Sequence, residues 1–217
     1  MTLLKVFDYY VGQFRYLKYI FFAVLIVLLL AFTFFGYRWY GQRVSEKAHD
    51  QLAHAIELFD RAEQEGGQAA WEDVGRAFEQ GYLNNASSSL APYFLAFQSE
   101  VAVRVGNIDK ARACMTKAVH ELSKNSPFYT PYVIKLARMN IDSGDSALVE
   151  QGKQSLQLLA QDAENNDRDM ALYYQGLIPF EQGDRVAAQK IWDALMKEYD
   201  QDSIWSQIAQ AKLDYTM

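Results

Sequence analysis

Cysteine occurs once in this chain of 217 residues, as Cys114. No internal disulfide and no thiolate zinc cluster can be built from one thiol, and a lone cysteine on a helical face serves as a small apolar packing residue. A glycine-rich phosphate loop is also missing, since Gly152-Lys153 has neither the upstream glycine nor a following Ser or Thr. There is no Gly-x-Ser-x-Gly nucleophile elbow. His49 and His54 stand five residues apart, the wrong spacing for sharing a metal on one helix face, and Glu63, Glu65, Glu72 and Asp73 read as solvated carboxylates. Asn85-Ala86-Ser87 is a formal glycosylation acceptor, informative only in a eukaryotic secretory setting. The net charge is −6, with +2 on residues 1–37 and −8 on the rest. An acidic domain without a basic, aromatic-interleaved stripe is a poor match for nucleic acid. The residues therefore nominate no catalytic group, no metal site and no cofactor, and point to a binding module.

What the chain has is one long apolar run. Residues 19–37, YIFFAVLIVLLLAFTFFGY, carry no charge and are closed by Lys18 and Arg38. At about 1.5 Å per residue a helix of this length spans roughly the 30 Å of a bilayer's hydrocarbon. Tyr16 and Tyr19 at one end, with Tyr37, Trp39 and Tyr40 at the other, have the look of interfacial aromatic belts. The run is longer than a secretory signal core, and its small-x-small candidate, Ala31-Phe32-Thr33, lies inside it, so an uncleaved transmembrane anchor in the lipid bilayer is expected. Charge does not orient it: Lys5, Arg15 and Lys18 before the span balance Arg38, Arg43 and Lys47 after it. Residues 1–18 form a short N-terminal segment without a myristoylation signal, because Thr2 follows Met1.

The remaining 180 or so residues suffice for one domain with a core. Over 38–66, Val44, Ala48, Leu52, Ala55, Ile56, Leu58 and Phe59 recur at spacings of three and four, predicting an amphipathic helix that ends at Gly66-Gly67. From residue 67 the chain repeats: Gly67, Gly106, Gly144 and Gly183 are spaced by 39, 38 and 39 residues. Each falls between two helical patterns, and the following Asn107, Asp145 and Asp184 can cap the next helix. Such a period marks a helix-pair solenoid.

In the last unit small Gly176 precedes the turn glycine by seven, while Ala188 and Trp192 follow it by five and nine. Those are the spacings of the tetratricopeptide repeat, where small residues let helices A and B cross closely. The unit around Gly106 matches through Ser99, Ala111, Met115 and Ala118. The middle unit keeps Ala137, but its second helix is shifted by about three residues, with Gly152 in the place of alanine; the unit around Gly67 reads as a divergent first repeat. Extended loops are expected at Ser123–Ser126 and Gln161–Asp167, a kink near Gln175 from Pro179, and a capping helix over 203–215. The fold class is thus all-α: a transmembrane helix over 19–37, then a tetratricopeptide-like solenoid over 67–217. In such repeats partners bind on the concave surface of the A helices. Counting back from the turn glycines places Tyr93, Glu100 and Arg104, then Ile134, Arg138 and Ile141, then Tyr173, Leu177 and Phe180 on that groove. It would suit extended, partly unfolded apolar segments; the same residues could instead pack against neighbouring B helices. The Lys/Asn set that clamps a C-terminal carboxylate is missing.

An N-terminal anchor, an early amphipathic helix, degenerate repeats of about 39 residues and a C-terminal cap resemble the YfgM-like family, membrane-anchored ancillary subunits of the bacterial Sec translocon. The better local matches are residues 132–138 (YVIKLAR), residues 175–184 (QGLIPFEQGD) with Ala188 and Trp192, and residues 211–214 (AKLD). The resemblance implies a single-pass inner-membrane protein with its N-terminus in the cytoplasm and its repeats in the periplasm. It implies as partners the Sec translocon, a membrane-anchored prolyl-isomerase-like chaperone and unfolded exported polypeptides. Beside that chaperone-like adaptor stands a second expectation, a structural scaffold holding one folded partner in another envelope complex.

Overall fold

A computed structural model describes residues 17–199 and 202–214, and for 17–23, 30 and 33–44 the course of the backbone only. Among the described residues the secondary structure is entirely helical: α1 (Leu17–Glu65), α2 (Gln68–Asn84), α3 (Ala91–Arg104), α4 (Ile108–Glu121), α5 (Tyr129–Ile141), α6 (Ser146–Gln161), α7 (Arg168–Glu181), α8 (Arg185–Tyr199) and α9 (Ile204–Asp214). The chain divides into two units, Met1–Asp50 and Gln51–Met217.

In the first unit, the expected membrane span lies on α1, where side chains are described at 24–29, 31 and 32. Among the described residues no helix is long and apolar enough to cross a membrane. The large apolar side chains from Val24 to Leu29, and Phe32, are exposed. Most of the expected 1–18 segment lies outside the described residues.

The second unit is a row of helical hairpins. Residues 51–65 of α1 pack with α2, α3 with α4, α5 with α6 and α7 with α8, and each hairpin packs on the next. Each hairpin turns through a glycine at positive φ: Gly66 (70°) and Gly67 (98°), Gly106 (75°), Gly144 (75°) and Gly183 (83°). No side chain occupies that region cheaply, which is why glycine recurs there. At Gly106 and Gly183 the helix end is closed twice, by Gly106 N–H to Val103 O with Asn107 N–H to Ala102 O, and by Gly183 N–H to Phe180 O with Asp184 N–H to Pro179 O. The next helix is then capped by Asn107 accepting from Lys110 N (3.1 Å) or Asp184 accepting from Ala187 N (3.0 Å). The middle turn differs: the Ser143 hydroxyl donates to Asn140 O and accepts from Asp145 N, while Asp145 caps Ala147 and Leu148.

Burial follows the repeat. Ala111, Met115 and Ala118 are buried in α4, and Ala188, Trp192 and Leu195 in α8. In α6 the helix starts at the same distance from its turn glycine, yet the buried set Gly152, Leu156, Leu159 comes three residues later. That is the anticipated shift, carried by rotation of the buried face rather than by a later start. Gly152 is where α6 meets α5: a Cβ added there would stand 2.5 Å from Ala137 O. At Gly176 an added Cβ would stand 2.4 Å from the Trp192 indole nitrogen, whose N–H donates to Tyr173 O at 3.0 Å. The first hairpin packs through rings, with Phe59 edge-on to Trp71 at 5.2 Å, and Phe78 stacks on Phe97 of the next hairpin at 4.9 Å.

The end of the row is closed by α9, which packs on α7 and α8 through Ala209, Trp205, Ile208 and Leu213. Ser203 caps it, accepting from Trp205 N and Ser206 N and donating to Asp169 Oδ2 at 2.6 Å. Pro179 sits inside α7, which runs on past it to Glu181. Asn85 is buried, and its amide donates to Gln51 Oε1 and Gly81 O, so the formal glycosylation acceptor is occupied by packing.

Gly152→Ala should lower stability by about 1–3 kcal/mol, because the methyl group meets a backbone oxygen that cannot rotate away. Urea unfolding followed by circular dichroism measures this. A variant as stable as the parent would mean that α5 and α6 do not cross at that residue.

Candidate functional site

The A helices α3, α5 and α7, with residues 51–65 of α1, are joined by charge pairs on one face of the second unit. Three of the nominated residues are charged and stand on this face, each paired to a neighbouring A helix. Arg104 donates to Glu63 of α1 at 2.6 Å and lies 5.7 Å from the centre of the Trp71 ring. Glu100 accepts from Lys135 of α5, and lies 3.8 Å from Arg104 Nε on its own helix. Arg138 reaches Glu181 of α7 with both terminal nitrogens, at 2.6 and 3.3 Å. The hydrogen bond to Glu181 raises the guanidinium's proton affinity further, against the opposing effect of burial. Tyr93 is half-buried, its hydroxyl 3.4 Å from Ser126 Oγ and its ring edge-on to Phe128 at 5.4 Å.

The other nominated residues pack inward. Ile134, Tyr173 and Leu177 are buried in the core, Tyr173 stacked on Trp192 at 5.9 Å. Ile141 is half-buried against α6, its side chain beside Gly152. Phe180 lies 5.1 Å from Trp192, with the Lys212 ammonium 5.5 Å from its ring centre. The division follows helix geometry. Positions nine, six and two before the turn glycine share the open face in α3, as Phe97, Glu100 and Arg104 do, whereas Leu177, six before Gly183, is buried against the core of the last unit. Positions ten and three before it, which supplied Ile134, Ile141, Tyr173 and Phe180, turn toward the B helix.

Two clefts open on this face. The first, about 360 Å³, is floored by Phe59, Ala96, Phe97, Met115 and Tyr132 and rimmed by Glu63, Glu100, Arg104 and Lys135. The second, about 470 Å³, is lined by Val103, Ile108, Met139, Glu100, Lys135, Arg138 and Asp142. Phe97, Tyr132, Lys135, Glu63 and Glu181 were not nominated from the sequence. For Lys135 and Glu181 the signal was opposite charge at the open-face positions of successive units: Glu100 six before one glycine with Lys135 nine before the next, and Arg138 six before one with Glu181 two before the next. Burial, and the negative charge that Tyr93 could acquire nearby, push the Tyr132 phenol up to about 12. Cys114 lines neither cleft; it is buried, its thiol raised mainly by that burial and directed at Gln98 Oε1. Among the described residues no group of three or more His, Cys, Asp or Glu side chains could hold a metal ion. Chemically the face offers apolar sockets and paired charges, the means of binding a polypeptide.

Residues 14–216 match the tetratricopeptide repeat-like domain family, and the chain belongs to that family. It is similar in fold to the crystal structure of a tetratricopeptide repeat protein from Parabacteroides merdae, with a TM-score of 0.54 and 15% sequence identity over 76% of this chain. The chain spans 58% of that protein's length, and at this identity the likeness shows the fold alone. Comparison with curated proteins finds no match. Family and fold together assign a protein–protein interaction scaffold built from tetratricopeptide-like repeats.

The Tyr132 phenol sets an alkaline limit. Its proton is held to about pH 12 in the fold, against 10 for a free phenol, so its contribution to stability is full below pH 10 and lost as pH rises through 12. Tyr132→Phe, which cannot ionise, should therefore show a smaller fall in Tm between pH 10 and 12 than the parent. Identical alkaline limbs would show that Tyr132 is solvated.

Proposed function

We propose that this chain is a non-enzymatic, inner-membrane-anchored adaptor of the YfgM-like kind, holding extended segments of newly exported polypeptides at the Sec translocon. The observation that carries the reading is the first cleft on the A-helix face, an aromatic and methionine floor rimmed by charge. Methionine and aromatic side chains adapt to varied apolar groups, which suits a surface meeting many sequences. The neighbouring Tyr93, Phe128 and Tyr132 rings extend the apolar surface along the face.

The exposed run on α1 supports the anchor. The side chains at 24–29 are all apolar and all exposed. Six successive residues point in every direction around a helix, so no face of that stretch is polar, as lipid requires and water penalises. The orientation, with the N-terminus cytoplasmic and the repeats periplasmic, rests on the family resemblance. So do the translocon and the membrane-anchored prolyl-isomerase-like chaperone as partners.

A second reading keeps the same surface and changes its occupant. Three charges of the A-helix face, Arg104, Glu100 and Arg138, are already satisfied by neighbouring helices. A pre-organised, paired surface also suits one folded partner, as in a scaffold for another envelope complex.

Full-length protein in lipid nanodiscs should slow the aggregation of reduced, unfolded α-lactalbumin. Tyr132→Ala, which removes a ring from the cleft, should weaken that protection roughly ten-fold, the cost of losing one central aromatic anchor. Protection unaffected by this change would move the binding site elsewhere. No protection at any ratio, together with tight binding of a single folded partner, would favour the scaffold.

A further inference from the structure

The two clefts share a wall. Glu100 and Lys135 line both, and their ion pair runs between α3 and α5 across the open face. Every other inter-helix pair on the face lies at a margin of this region: Arg104 with Glu63 beside the first cleft, Arg138 with Glu181 beside the second. Glu100 also has a second cation within reach, because Arg104 Nε stands 3.8 Å away, one turn along the same helix. It therefore has two partners, one across the groove and one on its own helix. The side chains of Glu100 and Lys135 are 27% and 39% exposed, so the pair is open to water and to salt. Pairs exposed to this degree are weak and readily screened.

We propose that the Glu100–Lys135 pair is a salt-sensitive gate in the groove. With Glu100 on Lys135 the face is two separate sockets; with Glu100 turned to Arg104 the sockets join along α3 and α5. This rests on the groove reading above and deepens it by naming what regulates the site. An extended polypeptide lying across both sockets displaces the pair, and the cost of breaking it is subtracted from the client's affinity. Short apolar ligands that fill one socket bind with the pair in place, so only a chain long enough to cross both sockets responds to it.

The test reads the gate without any client. Ala96, on the floor of the first cleft and almost fully buried, is replaced by cysteine in a Cys114→Ser background of the full-length chain. Its alkylation by N-ethylmaleimide is followed at rising NaCl, normalised to Glu150→Cys on the exposed side of α6. With the pair intact the rate should rise about two- to five-fold between 20 and 500 mM salt, the range a weak exposed pair can supply. With Glu100→Gln and Lys135→Met it should start at the higher value and stay flat. If Ala96→Cys does not fold, Tyr132→Cys reports on the same floor. Equal rates and equal salt response with and without the pair would overturn the gate. Binding of reduced, carboxymethylated α-lactalbumin is measured in parallel, and the pairless chain should bind it two- to five-fold more tightly. If the parent binds none at any salt, the client reading fails while alkylation still decides the gate. If clients bind but alkylation ignores the pair, the gate alone fails.

Discussion

The structure depends on helices approaching each other closely where one of them has almost no side chain. At Gly176 the bare backbone admits the edge of Trp192, which then stacks on Tyr173 and donates to its carbonyl. At Gly152 the backbone of α6 lies against Ala137 O with no room for a methyl group. Each crossing fixes the angle of one hairpin, and since each hairpin buries its second face only against the next, the angles propagate along the row. Packed interiors tolerate neither a gap nor an added carbon without strain. The face presented by the A helices follows from these crossings, because they decide which positions remain outside.

The turn glycines, the small residues and the capping helix were legible in the sequence because each is a local requirement. Positive φ selects glycine, a close crossing selects glycine, alanine or serine, and Ser203 caps α9 just ahead of its apolar residues. The three-residue shift in α6 was also legible, through Gly152. The groove was harder. A helix places residues three and four apart on one side, and an offset of one position rotates the choice by about 100°, enough to exchange core for surface. Glu100, Arg104 and Arg138 were found on the open face because charge cannot be buried alone. Ile134, Tyr173 and Leu177 were not, because an apolar side chain at that spacing satisfies either environment. Lys135 and Glu181 could have been found by pairing charges between successive units, since their partners lie 35 and 43 residues away.

Charge and apolar surface divide the work on this face. The rings of Phe97 and Tyr132 with Met115 provide the apolar surface of the first cleft, while paired charges link α1, α3, α5 and α7 across the face. Exposed pairs contribute little to stability singly, so their value lies in specifying the face rather than in holding the fold. That burden falls on the buried clusters around Phe78, Leu156 and Trp192.

The central claim is that the A-helix face carries extended polypeptides on their way through the envelope. It is tested most directly by placing a photo-crosslinking amino acid at Phe97 and at Arg138 in living bacteria, with Glu150 on α6 as the control position. The account predicts short-lived crosslinks from 97 and 138 to many newly synthesised exported chains, lost within minutes of a chase, and none from 150. A single stable crosslinked product that persists through the chase, or equal labelling from position 150, would contradict it.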